Sequence, residues 1–126
     1  NMLLDQEGGP FHNRTRKPKP GQKIFEDKSK GCHAPVLYNT QTGELTYTPI
    51  YYYIGHFSKY IQKGAVRVAA TKHDYRLHTV AFRNPDDTLV LVVMNPTDEE
   101  QPAIVRHNDS CTQINLEAHS IVTVIW

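Results

Sequence analysis

Glu7, Phe11, His12 and Asn13 are the side chains of this 126-residue chain whose types and spacing come closest to a chemical site. Glu7 stands beside Gly8, Gly9 and Pro10, a tight turn that hands a short apolar strand over to a loop. Loops held by rigid elements are where binding and catalytic groups concentrate. A carboxylate there can act as acid, base or nucleophile, or it can anchor the turn through backbone N–H groups or an ion pair. The anchoring role is the plainer one. Phe11 offers an apolar face for stacking, while His12 and Asn13 offer hydrogen-bonding groups. These three are the substrate-contact candidates, against packing within the loop.

Other groups invite chemistry and carry less of it. Arg14, Arg16, Lys17, Lys19, Lys23, Lys28 and Lys30 crowd one segment, opposed by Glu26 and Asp27. Such a run can meet phosphate groups. Phe25 is its only aromatic residue, so it makes no stacking platform for single strands, and no nucleic-acid partner is expected. The histidines His12, His33, His56, His73, His78, His107 and His119 lack the paired spacing of a metal site, so no metal and no cofactor is expected. Cys32 and Cys111 are too few for a disulfide framework and read as free thiols. Asn13-Arg14-Thr15 and Asn108-Asp109-Ser110 match the glycosylation triplet, which arises often by chance. The formal charge of +1 selects no partner class. No run approaches the ~18 apolar residues of a membrane span, and no charged-then-apolar leader is present.

Three zones must position these groups. In the first, Asn1–Asp5 reads as a buried strand with nothing before it to pair with, so the chain is expected to be the last part of a larger protein. Phe11 to Gly31 is a long Lys-, Pro- and Gly-rich loop. Val36-Leu37-Tyr38 and Glu44-Leu45-Thr46-Tyr47 then flank Asn39–Gly43 as a hairpin. The second zone is a helix over 49–63, with Thr48 as N-cap and Pro49 at the first helical position. Ile50, Ile54, Phe57 and Ile61 recur at helical spacing, and would be exposed if the chain stood alone. Gly64 suits a left-handed cap, and Gly55 should let another element approach.

The third zone, Ala65 to Trp126, is a train of short strands with turns between them, the pattern of an antiparallel sandwich. Leu89 to Met94 is apolar at every position and should be a central strand. Asn84-Pro85-Asp86-Asp87 and Asn95-Pro96-Thr97-Asp98 should turn on either side of it.

Several stretches together resemble the C-terminal part of glycoside hydrolase family 30, which includes the glucosylceramidases. They are Asn1 to Pro10, Ala34-Pro35-Val36, Thr42-Gly43-Glu44-Leu45, Tyr51 to Ile61 with its Tyr-Ile-Gly-His-Phe-Ser-Lys core, and Gly64 to Val68. The segment Phe11 to Lys30 departs from the pattern as an insertion. The resemblance implies a (β/α)8 barrel beside a β-sandwich. Residues 1–10 would be the last barrel strand and turn, and 11–48 a cleft-rim loop and hairpin. Residues 49–64 would be the last barrel helix and 65–126 the sandwich. Barrel active sites lie at the C-terminal ends of the strands, so Gln6 to Lys30 would rim the cleft.

The family hydrolyses β-glycosides with retention, using two glutamates about 5–5.5 Å apart. The resemblance places both glutamates, and a substrate-stacking Trp, before Asn1. No catalytic residue is therefore assigned in this chain, which alone is expected to be inactive. Its implied partners are a β-glycoside, sugar or glycolipid, met through the complete enzyme, and the N-terminal barrel on which it packs. A second reading from the residues is a stand-alone immunoglobulin-like carbohydrate-binding or interaction module.

Overall fold

The computed structural model describes residues 2–5, 33–71 and 73–126. Glu7, Phe11, His12, Asn13, the basic segment, Cys32 and the first glycosylation triplet lie outside them. The chain divides into two units, Asn1–Tyr53 and Ile54–Trp126.

In the first unit, β1 (Leu3–Asp5) runs parallel to β2 (Val36–Tyr38), with Leu3 opposite Val36 and Asp5 opposite Tyr38. The opening strand thus pairs along one edge with a segment that follows it. Its alternation is that of a half-buried strand, since Leu4 is buried and Leu3 exposed. β2 turns back into β3 (Leu45–Tyr47) as the expected antiparallel hairpin. Asn39 organises that turn. Its Oδ1 accepts from the N–H groups of Gln41 and Thr42 at 2.9 and 3.1 Å, and its carbonyl accepts from Gly43 at 2.8 Å. Gly43 takes φ +78°, a conformation that costs glycine nothing.

The helix α1 covers Pro49–Ser58, five residues short of the expected end. Pro49 opens it, as a residue without an N–H can. The Thr48 hydroxyl donates to the carbonyls of Ala34 and Pro35, tying the helix start to the lead-in of β2. At the other end, helical bonds continue from Lys59 N–H to Gly55 and from Ile61 N–H to Phe57. Asn84 then intercepts the chain. Its Oδ1 accepts from Gln62 N–H and its Nδ2 donates to the Tyr60 carbonyl, both at 3.0 Å. A side chain whose carbonyl oxygen accepts from an N–H while its amide nitrogen donates to a carbonyl satisfies the orphan groups of a helix end. Gly64 follows at φ +93°. A Cβ on Gly55 would meet nothing within 4 Å, so among the described residues no element uses the close approach expected there. The expected exposure holds for Ile50, Ile54 and Phe57, while Ile61 is half-buried.

The second unit contains a four-stranded antiparallel sheet in the order β4 (Val66–Val68), β5 (His78–Arg83), β6 (Leu89–Asn95), β9 (Ser120–Ile125). β7 (Gln101–His107) and β8 (Ser110–Leu116) form a separate hairpin. The apolar run is the central strand predicted. Val90, Leu91, Val92 and Val93 are all buried in β6, between β5 and β9. Its two faces do different work. Leu91 and Val93 join Leu77 and Leu116 in the core, with Ala81, Val122 and Val124 from the large sheet and Ala103, Val105 and Ile114 from the hairpin. That is sheet on sheet, the sandwich. Val90 and Val92 face the other way, beside Thr123, whose Oγ1 meets Nδ1 of His56 at 2.8 Å.

Both turns flanking β6 are held by a buried asparagine. Asn95 is fully buried. Its Nδ2 lies 2.7–3.1 Å from the carbonyls of Glu99, Leu116 and Glu117, and its Oδ1 accepts from the N–H and hydroxyl of Thr97. One side chain therefore joins the β6–β7 turn to the end of β8.

Candidate functional site

Since β1 and β2 are parallel, their C-terminal ends lie together, at Asp5 and Tyr38. This end receives the 39–44 turn and releases the segment that carries Phe11, His12 and Asn13. The three candidates themselves lie outside the described residues. What the structure describes at this end is the β2–β3 hairpin. Tyr38 pairs with Leu45 across the hairpin, and Asn39 fixes the turn between them. Glu44, a carboxylate in this hairpin, accepts from the Thr42 hydroxyl at 3.1 Å. Thr42 in turn accepts from the Glu44 N–H, so the pair closes on itself at the surface.

On the same unit, Tyr47, Tyr51 and Tyr52 form an exposed aromatic group. Tyr47 and Tyr51 lie 4.7 Å apart in a tilted contact, and Tyr52 meets Tyr51 edge-on at 5.5 Å. β3 supplies the first ring and the first turns of α1 the other two, which Thr48 and Pro49 hold close in sequence.

The second unit has a cleft of about 530 Å³ beside the sandwich core. Its walls are Val68 and Ala81 from the large sheet and Ala103 and Val105 from the hairpin. At its polar margin stand His73, Asp74, Arg106, His107 and Trp126. His107 and Trp126 contact ring to ring at 5.9 Å. Asp74 holds Arg76 through two guanidinium nitrogens at 2.7–3.2 Å. That hydrogen bond, with the charge behind it, raises the Arg76 pKa above its ordinary value. An apolar cleft of this kind can take an apolar surface. It sets out no pair of nucleophile and base.

The described histidines have different partners. His56 Nδ1 meets Thr123 Oγ1, on a sandwich strand, at 2.8 Å. His119 meets Asp98 at 2.8 Å between two exposed turns. Among the described residues no three His, Cys, Asp or Glu side chains group as a metal site. Cys111 is an exposed free thiol. No helix among the described residues is long and apolar enough to cross a membrane.

The inter-sheet cleft and the His107–Trp126 contact were not read from the sequence. The small residues Ala69, Ala70, Ala81 and Ala103 were the available sign, since alanine lines a groove without filling it.

Residues 64–124 match the family model described as the glycosyl hydrolase family 30 beta sandwich domain. Mouse lysosomal acid glucosylceramidase is 31% identical over the whole chain, which spans 22% of that protein's length. The crystal structure of SrfJ from Salmonella typhimurium superposes on all of the chain with a TM-score of 0.83 and 32% identity, and the chain spans 25% of it. An endo-β1,6-glucanase superposes with a TM-score of 0.75 at 23% identity, again over 25% of its length, which speaks to the fold.

Proposed function

We propose, from the premise that residues 64–124 belong to the β-sandwich domain of glycosyl hydrolase family 30, that the chain is the C-terminal portion of a retaining β-glycosidase of the glucosylceramidase kind. The observation that carries this is the 31% identity to mouse lysosomal acid glucosylceramidase over the entire chain, strand, hairpin and helix included. A stand-alone carbohydrate-binding module accounts for residues 64–124 and leaves β1, β2, β3 and α1 without a purpose.

In this reading β1 is the last strand of a (β/α)8 barrel and α1 its last helix. Residues 6–32 leave the C-terminal end of β1, where such barrels keep their active sites. Phe11, His12 and Asn13 then contact the glycoside at the cleft rim, as stacking face and hydrogen-bonding groups. The hydrolytic pair of glutamates belongs to earlier barrel strands, so bond cleavage requires the complete enzyme. Its substrate is a β-glycoside, either a saccharide or a glycolipid. The exposed Ile50, Ile54 and Phe57 of α1 are the surface that the barrel covers.

The test is hydrolysis of an aryl β-glucoside by this chain and by a polypeptide that joins it to its upstream coding sequence. Turnover by the longer protein alone is expected. Turnover by the 126 residues, or an upstream sequence without strand–helix units carrying two glutamates, would overturn the proposal.

A further inference from the structure

The second glycosylation triplet, Asn108-Asp109-Ser110, gains a meaning from its place in the fold that its sequence did not give it. β7 and β8 pair up to His107 opposite Ser110, so Asn108 and Asp109 alone form the hairpin tip. Asn108 takes φ +51°, the left-handed region that asparagine tolerates better than most residues. Asn108, Asp109 and Ser110 are all exposed. The Asn108 side chain makes no hydrogen bond within the described residues, so its amide nitrogen is free and a substituent there displaces nothing.

A third asparagine offers the contrast. Asn95-Pro96-Thr97 has the same outline with proline in the middle, which bars it as an acceptor. Its side chain is fully buried with both ends engaged. The chain thus keeps the blocked triplet where a glycan would break the core, and the open one at a tip where bulk is harmless.

We infer that Asn108 is an acceptor site for an N-linked oligosaccharide. The co-reactant is an oligosaccharide carried on a lipid pyrophosphate. The Asn108 amide nitrogen forms a bond to the anomeric carbon of the donor's first sugar, and that carbon's bond to the phosphate oxygen breaks. The lipid pyrophosphate leaves with the electron pair, and one amide proton passes to the transferase. The Ser110 hydroxyl, two residues on, is the group the transferase reads.

The experiment is expression of the whole chain behind a cleavable leader in a mammalian secretory pathway, with Asn13→Gln to silence the other triplet. The expected result is one glycan, removed by peptide N-glycosidase with conversion of residue 108 from Asn to Asp in the tryptic peptide. Asn108→Gln and Ser110→Ala should each lose it, and Ser110→Thr should keep it. Transfer takes place in the lumen, so the peptide can be read in retained as well as secreted chain, and a folding defect does not hide the answer. An unmodified Asn108 peptide from lumenal chain, identified by its cleaved leader, would overturn the inference. So would a glycan that persists in Ser110→Ala.

Discussion

Asn95 shows how much a single side chain can hold. Its amide is shared among three carbonyls, and its oxygen takes two donors from Thr97. Asn95→Ala leaves buried carbonyls of Leu116 and its neighbours without a donor, which should cost about 2–3 kcal/mol. Asn95→Asp should cost more, because it sets a carboxylate against carbonyl oxygens; urea denaturation of both variants checks the order. Gly55 works in the other direction. With open space around it, Gly55→Ala should stabilise the isolated chain by about 1 kcal/mol. In the complete enzyme, where the barrel would cover α1, the same change should lower the melting temperature. The two asparagines were visible in the sequence only as turn residues before proline. Their burial follows from strands that meet at a distance, which no local pattern carries.

At the scale of elements, the β5–β6 turn locks the end of α1. Asn84 links Tyr60 and Gln62 to this turn and also donates to Thr88. Asp86 accepts from the hydroxyl of Thr88 at 2.7 Å and from Gln62 Nε2 at 2.8 Å, and these bonds hold its carboxyl below the ordinary value of 3.8. A depressed folded pKa adds stability that is present above the unfolded value and lost as pH falls through the folded one. Asp86→Asn keeps an acceptor for Thr88 and loses the one for Gln62. The wild-type chain should therefore melt higher than Asp86→Asn at neutral pH, and the gap should close in acid below the carboxylate range. Thermal melts across pH read this directly. The strands themselves were legible, since each of Leu89–Met94, Thr112–Leu116 and Ile121–Trp126 is an apolar or alternating run. The helix end was misplaced by five residues because its stop lies in Asn84, twenty-odd positions on, and not in a local cap. Phe11, His12 and Asn13, picked out in the sequence by their types beside the Gly-Gly-Pro turn, lie outside the described residues.

Taken whole, the chain leaves several large apolar side chains exposed among its described residues. Ile50, Ile54 and Phe57 are exposed on α1, and the cleft between the sheets has an apolar lining. If the rest of a glycosidase covers these surfaces, the isolated chain should bind the apolar dye ANS strongly, and the complete enzyme should bind it weakly. Weak binding by the chain alone would count against the need for a covering barrel. One further property follows from the strand order. The central strand β6 has β9 as its second neighbour, and the N–H and C=O of Trp126 both bond to Leu89 at its start. A ribosome makes β6 some thirty residues before it makes β9. The most apolar strand of the sandwich must therefore wait, half-paired, until residues 120–126 have been translated, and a chain cut within β9 would leave that edge open.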